Sequence, residues 1–433
     1  MNIHMNFFKL TPAEQIASIM RRVYDRGLTT ATGGNISILD EHGDIWITPK
    51  AVDKGSLIQK DIVCVHPDGS YDGIHAPSSE IFFHRATYRA RPDFRAVVHA
   101  HPVYCIAFSL TRTLPRVDLL PHTEQLCRNM RLSKYAMMGS PALGDNMHAE
   151  FAKGADVVFL ENHGVCVGGN NLLVAYQLFE TIEYAAKLDL LSRKTGAALS
   201  LTDGQKQRYA NRAKPSYQAM LRRSPGERER LLRADMVQKL RRGCEHALLT
   251  GATGVCSARV DEHAFLITPE GLDLALLEEQ DIVLICGELA EEGKIPSIEA
   301  PLHAAIYAHQ PETQAVFSAA PAHVMAFAAS AREFATSTVP ESYYMLRAVP
   351  KCKFEEAVDQ PEVAATHFSS KTPVVLFDHY RLVTTGETLF TAFDRMEVAE
   401  ATAASILTAQ DAGSIILLDE NEVRELRETF HLG

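Results

Sequence analysis

The stretch Val97-Val98-His99-Ala100-His101-Pro102 decides how the rest of the chain is read. Its β-branched run predicts a strand, and strand side chains alternate with period two, so His99 and His101 share a face. Two imidazole nitrogens on one side of a strand end make half of a divalent-metal site. A His-x-His pair alone is also what ordinary core histidines produce, so its company matters. Upstream lies Pro77-Ser78-Ser79-Glu80, and downstream lies Leu160-Glu161-Asn162-His163-Gly164. His99, His101, His163 and Glu80 together offer three nitrogens and a carboxylate, a set that suits zinc or a similar divalent ion.

Bulk properties narrow the class. A chain of 433 residues is too long for one ordinary core and predicts two domains or three. With 46% hydrophobic and 22% charged residues it has the composition of a soluble globular enzyme. No stretch nears the roughly 20 apolar residues of a membrane span. Met1-Asn2-Ile3-His4-Met5-Asn6 shows no charged region leading into an apolar one, so no export signal is expected. A net charge of −11 argues against nucleic acid as partner, which calls for a basic face. The 8 cysteines contain no C-x-x-C pair and sit in apolar runs, as buried, reduced thiols do. A cytoplasmic location is expected.

Outward from the histidines, the chain reads as alternating helices and strands. Thr11-Pro12-Ala13-Glu14 is a capping box opening an amphipathic helix to about Arg26. Asn35-Ile36-Ser37-Ile38, Ile45-Trp46-Ile47-Thr48, Asp61 to Val65 and Val157 to Leu160 predict strands, with a hairpin through residues 40–44. Helices are expected from Glu80 to about Arg91 and from Leu172 to Thr195.

The same order then returns. Thr253-Gly254 echoes Thr32-Gly33, Ile267-Thr268-Pro269 echoes Ile47-Thr48-Pro49, and Pro296-Ser297-Ile298-Glu299 answers Pro77-Ser78-Ser79-Glu80. Ser224-Pro225-Gly226-Glu227 looks like a second capping box, and Leu201-Thr202-Asp203 is answered by Leu417-Leu418-Asp419. The offset drifts only from about 221 to about 216, so one domain of ordinary size is duplicated, as distinct from a short solenoid repeat. Domains of 1–205 and 206–433 are expected. The connecting Lys206, Arg208, Arg212, Lys214, Arg222 and Arg223 read as one solvated helical face. Only the first copy holds the metal set. The second keeps Glu299 but has Ser318 and Ala320 opposite His99 and His101, with Tyr380 opposite His163 and His379 opposite Asn162. It is expected to be structural or regulatory, or to complete a pocket of the first.

Gly33-Gly34-Asn35-Ile36-Ser37, Ile47-Thr48-Pro49, Pro77-Ser78-Ser79-Glu80, Ala96 to His101 and Glu161-Asn162-His163-Gly164 together resemble the class II aldolase/adducin family. Within it the first half is most similar to the L-fuculose-1-phosphate aldolases and related sugar-phosphate enzymes. The second half resembles the same fold with its ligands lost, as in non-enzymatic adducin heads. The resemblance implies an α/β fold: tandem domains, each a central antiparallel sheet sandwiched by helices, assembled as homo-oligomeric rings. It also implies a zinc or other divalent transition-metal cofactor on His99, His101 and His163. Glu80 would hold the metal at rest and act as the proton-transfer base once substrate displaces it. Asn35, Ser78 and Ser79 match positions that hold the substrate phosphate, and chemistry supports an anion at a helix start.

Two departures stand out. Lys50-Ala51 follows Thr48-Pro49 where the aldolases tend to carry a Thr-Gly pair. Lys50 suits a phosphate or a carboxylate equally. The window where the aldolases have a tyrosine reads Leu119-Leu120-Pro121-His122-Thr123-Glu124, leaving His122 and Glu124 as open candidates for a proton donor. His84, one turn after Glu80, reads as a packed histidine ahead of a supporting group. Gly33-Gly34 lacks the rest of a nucleotide loop. The expected function is a divalent-metal-dependent lyase of aldolase type, making or breaking a C–C bond in a small hydroxy-carbonyl compound such as a sugar phosphate. A same-fold epimerase, dehydratase or hydroxy-acid decarboxylase and a non-catalytic adducin-like module are the alternatives.

Overall fold

The computed structural model describes residues 7–196, 198–221, 223–251 and 253–432. The amino-terminal reading at Met1–Asn6 and the connector's Arg222 lie outside them. Two compact units emerge, one running to Val117 with His122–Asp189, the other combining Asp118–Pro121 with the chain from Leu190. Among the described residues no helix is long and apolar enough to cross a membrane.

In the first unit, β1 (Asn35–Leu39), β2 (Ile45–Ile47), β3 (Val63–Val65), β4 (Tyr71–Asp72), β5 (Ala96–Ala100), β6 (Met130–Ser133), β7 (Val157–Leu160) and β8 (Gly164–Gly169) form one sheet. Its order is β4-β3-β2-β1-β5-β8-β7-β6. Pairing is antiparallel apart from the parallel edge pair β6–β7. The helix Pro12–Asp25 starts on the expected box, with Thr11 Oγ accepting from the Glu14 amide and the Glu14 carboxylate closing back. β5 lies at the centre, every residue buried, between β1 and β8. Val97, Val158, Leu160 and Cys166 pack on one side against Ile81, Phe83, Leu143, Met147 and Phe151 of two helices. Burying a large apolar side chain of this kind contributes about 1.5–3 kcal/mol. That layer fixes where the histidine-bearing end of β5 emerges.

The second unit repeats this plan with β10 (Val255–Arg259), β11 (Ala264–Ile267), β12 (Val283–Cys286), β13 (Leu289–Glu291), β14 (Ala315–Ala319), β15 (Lys351–Cys352), β16 (Val374–Phe377) and β17 (Leu382–Gly386). Among the described residues the one strand without a counterpart is β9 (Gln218–Met220), which comes from the connector and pairs in parallel with β13. The duplication is therefore also a duplication of register. Asn35 faces His99 across β1–β5, and Val255 faces Ser318 across β10–β14. Likewise Phe159 faces Val165 as Leu376 faces Leu382.

Three local expectations change. The connector's charges do not form one helical face. Lys206 and Arg208 sit on the helix Asp203–Ala210, the Arg212 guanidinium stacks 3.6 Å over Tyr209, and Arg223 pairs with Glu229 at 2.9 Å. Between those charges lies a short edge strand, Gln218–Met220, whose three residues are too few to show a strand pattern. The helix Glu227–Glu245 has Gly226 as N-cap with no side-chain cap. Ser224 lies two residues too early, and Glu227 and Glu229 in the first turn answer the helix dipole instead. The tails align one residue off the sequence match, since the N-caps are Thr202 and Asp419, each with a closed box.

Candidate metal centre

Three elements bring the histidines together. His99 is the penultimate residue of β5 and His101 follows the strand's last, Ala100, with ring centroids 4.9 Å apart. His163 sits in the tight turn between β7 and β8, where its amide donates to Leu160 O at 3.1 Å. Asn162 makes this turn by adopting φ 54°, the left-handed region that asparagine tolerates better than most residues. Ser109 pins the turn from the neighbouring helix, accepting from the His163 amide at 3.0 Å and donating to Leu160 O at 2.5 Å. That helix, Val103–Thr111, is itself held at its start by the Glu183 carboxylate, which accepts from the Tyr104 and Cys105 amides.

One nitrogen from each of His99, His101 and His163 lies within 4.8 Å of the other two. Glu80 faces them: His99 Nε2 is 3.4 Å from Oε2 and His163 Nε2 is 3.4 Å from Oε1. Glu80 Oε1 and the Nε2 atoms of all three histidines are buried without a hydrogen-bond partner. Buried polar atoms are satisfied almost everywhere in folded proteins, so four orphans aimed at one point are the pattern a cation would explain. His99 Nδ1 lies 3.0 Å from Val165 O, which keeps the proton on Nδ1 and leaves Nε2 its lone pair. Burial lowers the pKa of His99, His101 and His163, favouring the neutral, ligating form. Burial raises that of Glu80, with His163 and the Asn35 amide pulling the other way. The donor set fits a divalent transition metal.

Two glycines are sterically required here. A Cβ on Gly164 would stand 2.6 Å from Ala100 O and 2.8 Å from His101 Cδ2. Gly34 has φ 70°, and a Cβ there would lie 2.7 Å from His99 O.

The other predicted residues fall around this cluster. Thr48–Lys50 runs against Ala76–Ser78, through Ser78 N to Thr48 O and Lys50 N to Ala76 O. Ser79 and Lys50 are exposed, while Ser78 is buried and accepts from the Glu80 amide at 3.3 Å. The serines stop short of capping, because Glu80 is itself the N-cap of the helix Ile81–Ala90. Asn35, expected on an anion, has both ends of its amide on protein groups: Nδ2 on Glu80 Oε2 at 2.7 Å and Oδ1 on His84 Nε2 at 2.5 Å. His84 is thereby more than packing. It lies directly behind Asn35, and burial lowers its pKa to about 3. His122, on the helix Pro121–Cys127, has its ring 5.6 Å from that of Tyr184, and Glu124 is half-buried on the same helix.

Sequence reading missed two cations. Lys54 is 1% exposed, donates to Pro49 O at 2.7 Å, and burial lowers its pKa to about 8. Its signal was the repeat, where the matching residue is Leu274. Arg381 is the other. It occupies the register of Gly164, and its Nε lies 3.1 Å from Glu299 Oε1. Ser318, which replaces the first strand histidine, donates to Glu299 Oε2. The second half thus keeps the carboxylate and answers it with a guanidinium, and the pKa of Glu299, raised by burial, ends below its ordinary value chiefly through Arg381.

The sequence pattern described as Class II Aldolase and Adducin N-terminal domain matches residues 14–190 and again 234–407. The chain is 32% identical over 204 residues to a 5-deoxy-D-ribulose 1-phosphate aldolase of Bacillus thuringiensis serovar kurstaki, covering 46% of this chain and 93% of that one. Identity is 33% over 178 residues to an L-fuculose phosphate aldolase of Methanococcus maripaludis, covering 41% and 95%. A 3-oxo-tetronate 4-phosphate decarboxylase of Haemophilus influenzae is 31% identical over 183 residues, covering 41% and 87%. Each relative nearly fills its own length while spanning less than half of this chain, the proportion expected of one copy against two. The chain belongs to the class II aldolase and adducin N-terminal domain family, whose fold it carries in two tandem copies.

Proposed function

We propose that the first half is a divalent-metal-dependent lyase of aldolase type, acting on a small phosphorylated hydroxy-carbonyl compound, and that the second half is non-catalytic. The observation that carries this is the convergence of four buried, unpartnered donor atoms from Glu80, His99, His101 and His163. A divalent cation on the three imidazoles supplies Lewis-acid stabilisation of negative charge on substrate oxygens, worth several kcal/mol. Glu80 is the residue that moves the proton. Its carboxylate is fixed by Asn35 and sits where burial raises its pKa, which suits a general base near neutral pH. Ser79 and Lys50, exposed on the paired segments beside the helix that Glu80 opens, would meet the substrate's phosphate together with Ser78. Asn35 serves the anion indirectly, by holding Glu80. All eight cysteines are free thiols and seven are buried, in keeping with the reducing cytoplasm.

Decarboxylation is the second reading. Lys54, buried under the Thr48–Lys50 turn, adds a cation near Lys50, which favours a substrate with a carboxylate as well as a phosphate. Purified chain tested on retro-aldol cleavage of ketose 1-phosphates and on decarboxylation of phosphorylated keto acids separates the two. Turnover in either panel that His99→Ala and Glu80→Gln abolish is expected. Turnover untouched by both substitutions, or purification without a divalent metal, would refute the lyase.

A further inference from the structure

Behind Asn35 runs a line of side chains that the proposed chemistry does not touch. His84 Nε2 meets Asn35 Oδ1 at 2.5 Å, His84 Nδ1 meets Ser37 Oγ at 2.7 Å, and Ser37 Oγ meets Tyr88 Oη at 2.7 Å. None is more than 6% exposed. We propose that Tyr88, Ser37 and His84 are positioning residues that fix the Asn35 amide and through it aim Glu80 at the metal centre. The proposal rests on the metal-centre reading above.

The donor directions leave little choice. A carboxylate only accepts, so Asn35 must turn its NH2 toward Glu80 and its carbonyl toward His84. The carbonyl in turn requires the His84 proton on Nε2. A neutral imidazole then has a bare Nδ1, which accepts from the Ser37 hydroxyl, and Ser37 accepts from the Tyr88 phenol. Reversing the chain would put the Asn35 carbonyl against the carboxylate and leave the Tyr88 hydroxyl with no hydrogen-bond acceptor among the described residues. The line therefore has one good orientation, and it ends with an N–H aimed at Glu80 Oε2. Partners of this kind behind metal-site residues typically change affinity 10–100-fold when removed.

The second half supplies an internal control. Ser257, His303 and Tyr307 make the same contacts, at 2.7 and 2.8 Å. Val255 replaces Asn35 there, and His303 Nε2 is buried with no partner. The serine–histidine–tyrosine group therefore forms without a hydrogen-bonded link to the carboxylate, although His303 is close enough to Glu299 for their charges to interact, so it has a packing role in both halves. Where the three histidines persist, an amide joins it to the carboxylate through hydrogen bonds.

The test uses the full chain loaded with Co(II), following affinity by competition and geometry by visible absorption. Ser37→Ala is expected to weaken cobalt binding about tenfold and shift the absorption bands. Ser257→Ala, which cuts the matching contact in the second half, should lower thermal stability similarly and change neither cobalt readout. Tyr88→Phe keeps its ring and carries the same test should Ser37→Ala not fold. Equal loss of stability in both serine variants with unaltered cobalt affinity and spectrum would reduce the line to packing and overturn the proposal. Failure of the unsubstituted chain to take up cobalt would instead overturn the metal-centre reading, and this proposal with it.

Discussion

Arg381 Nε lies 3.1 Å from Glu299 Oε1, so the second half sets a side-chain cation against its carboxylate where the first half sets three histidines against Glu80. The two carboxylates, Glu80 and Glu299, open equivalent helices, and each has its amide on a serine two residues back. What differs is the cation each can hold.

Metal content should reflect that difference. The intact chain is expected to hold one divalent ion per molecule, not two, and His163→Ala none. Elemental analysis after dialysis against a weak chelator checks both numbers. A second equivalent lost on substituting Glu299 would contradict the assignment.

Removing the guanidinium should be expensive. Arg381→Met leaves Glu299 buried without its charge partner, which costs about 3–5 kcal/mol in comparable buried pairs. Glu299→Gln combined with Arg381→Met should recover most of that loss, because a neutral amide tolerates burial far better. Denaturant unfolding of the three proteins measures it. Metal content should not change.

Gly164→Ala is the matching test in the first half. Its Cβ would stand 2.8 Å from His101 Cδ2 and 2.6 Å from a backbone oxygen, so the imidazole has to move. Such overpacking costs about 1–3 kcal/mol, and metal affinity should fall at least tenfold. Zinc competition assays read the second effect. Retained affinity would mean that His101 is not a ligand.

Acid should destabilise both halves through histidines outside the metal set. Burial lowers the pKa of His84 to about 3 and of His303 to about 4, against 6.5 ordinarily. Between those limits the unfolded chain binds more protons, so stability falls as pH drops below 6.5. Each group contributes about 1.4 kcal/mol per pH unit there, roughly 2 kcal/mol per half by pH 5. Urea midpoints taken at intervals across this range should show it, and His303→Gln should flatten the profile of the second half.

Much of this was readable in the residues. The repeat survived because strand patterns, the proline–serine–glutamate motif and the turn before β8 recur at nearly constant spacing, and register does the rest. In the second copy the residues standing opposite His99, His101 and His163 were legible, and the guanidinium beside them was not. Tyr380 drew attention as the residue opposite His163, while Arg381 beside it answers a glycine, and a glycine gives no hint that its replacement reaches a carboxylate. Lys54 escaped for a similar reason, since a lysine among Asp53, Gly55 and Ser56 looks like a solvated turn until the second copy's leucine shows that the position is interior. The Tyr88–Ser37–His84 line spans 51 residues from end to end and exists only once β1 packs against the helix Ile81–Ala90. Pattern could suggest His84 alone.

The contact between Gly164 and His101 also sets which substitutions the two halves can exchange. A side chain at this turn position would strike an imidazole at the His101 position, so a long residue in the turn and a histidine at the strand end crowd each other out. Arg381 accordingly stands in a copy whose strand end carries Ala320. One missing side chain in the first half keeps the ring's place open.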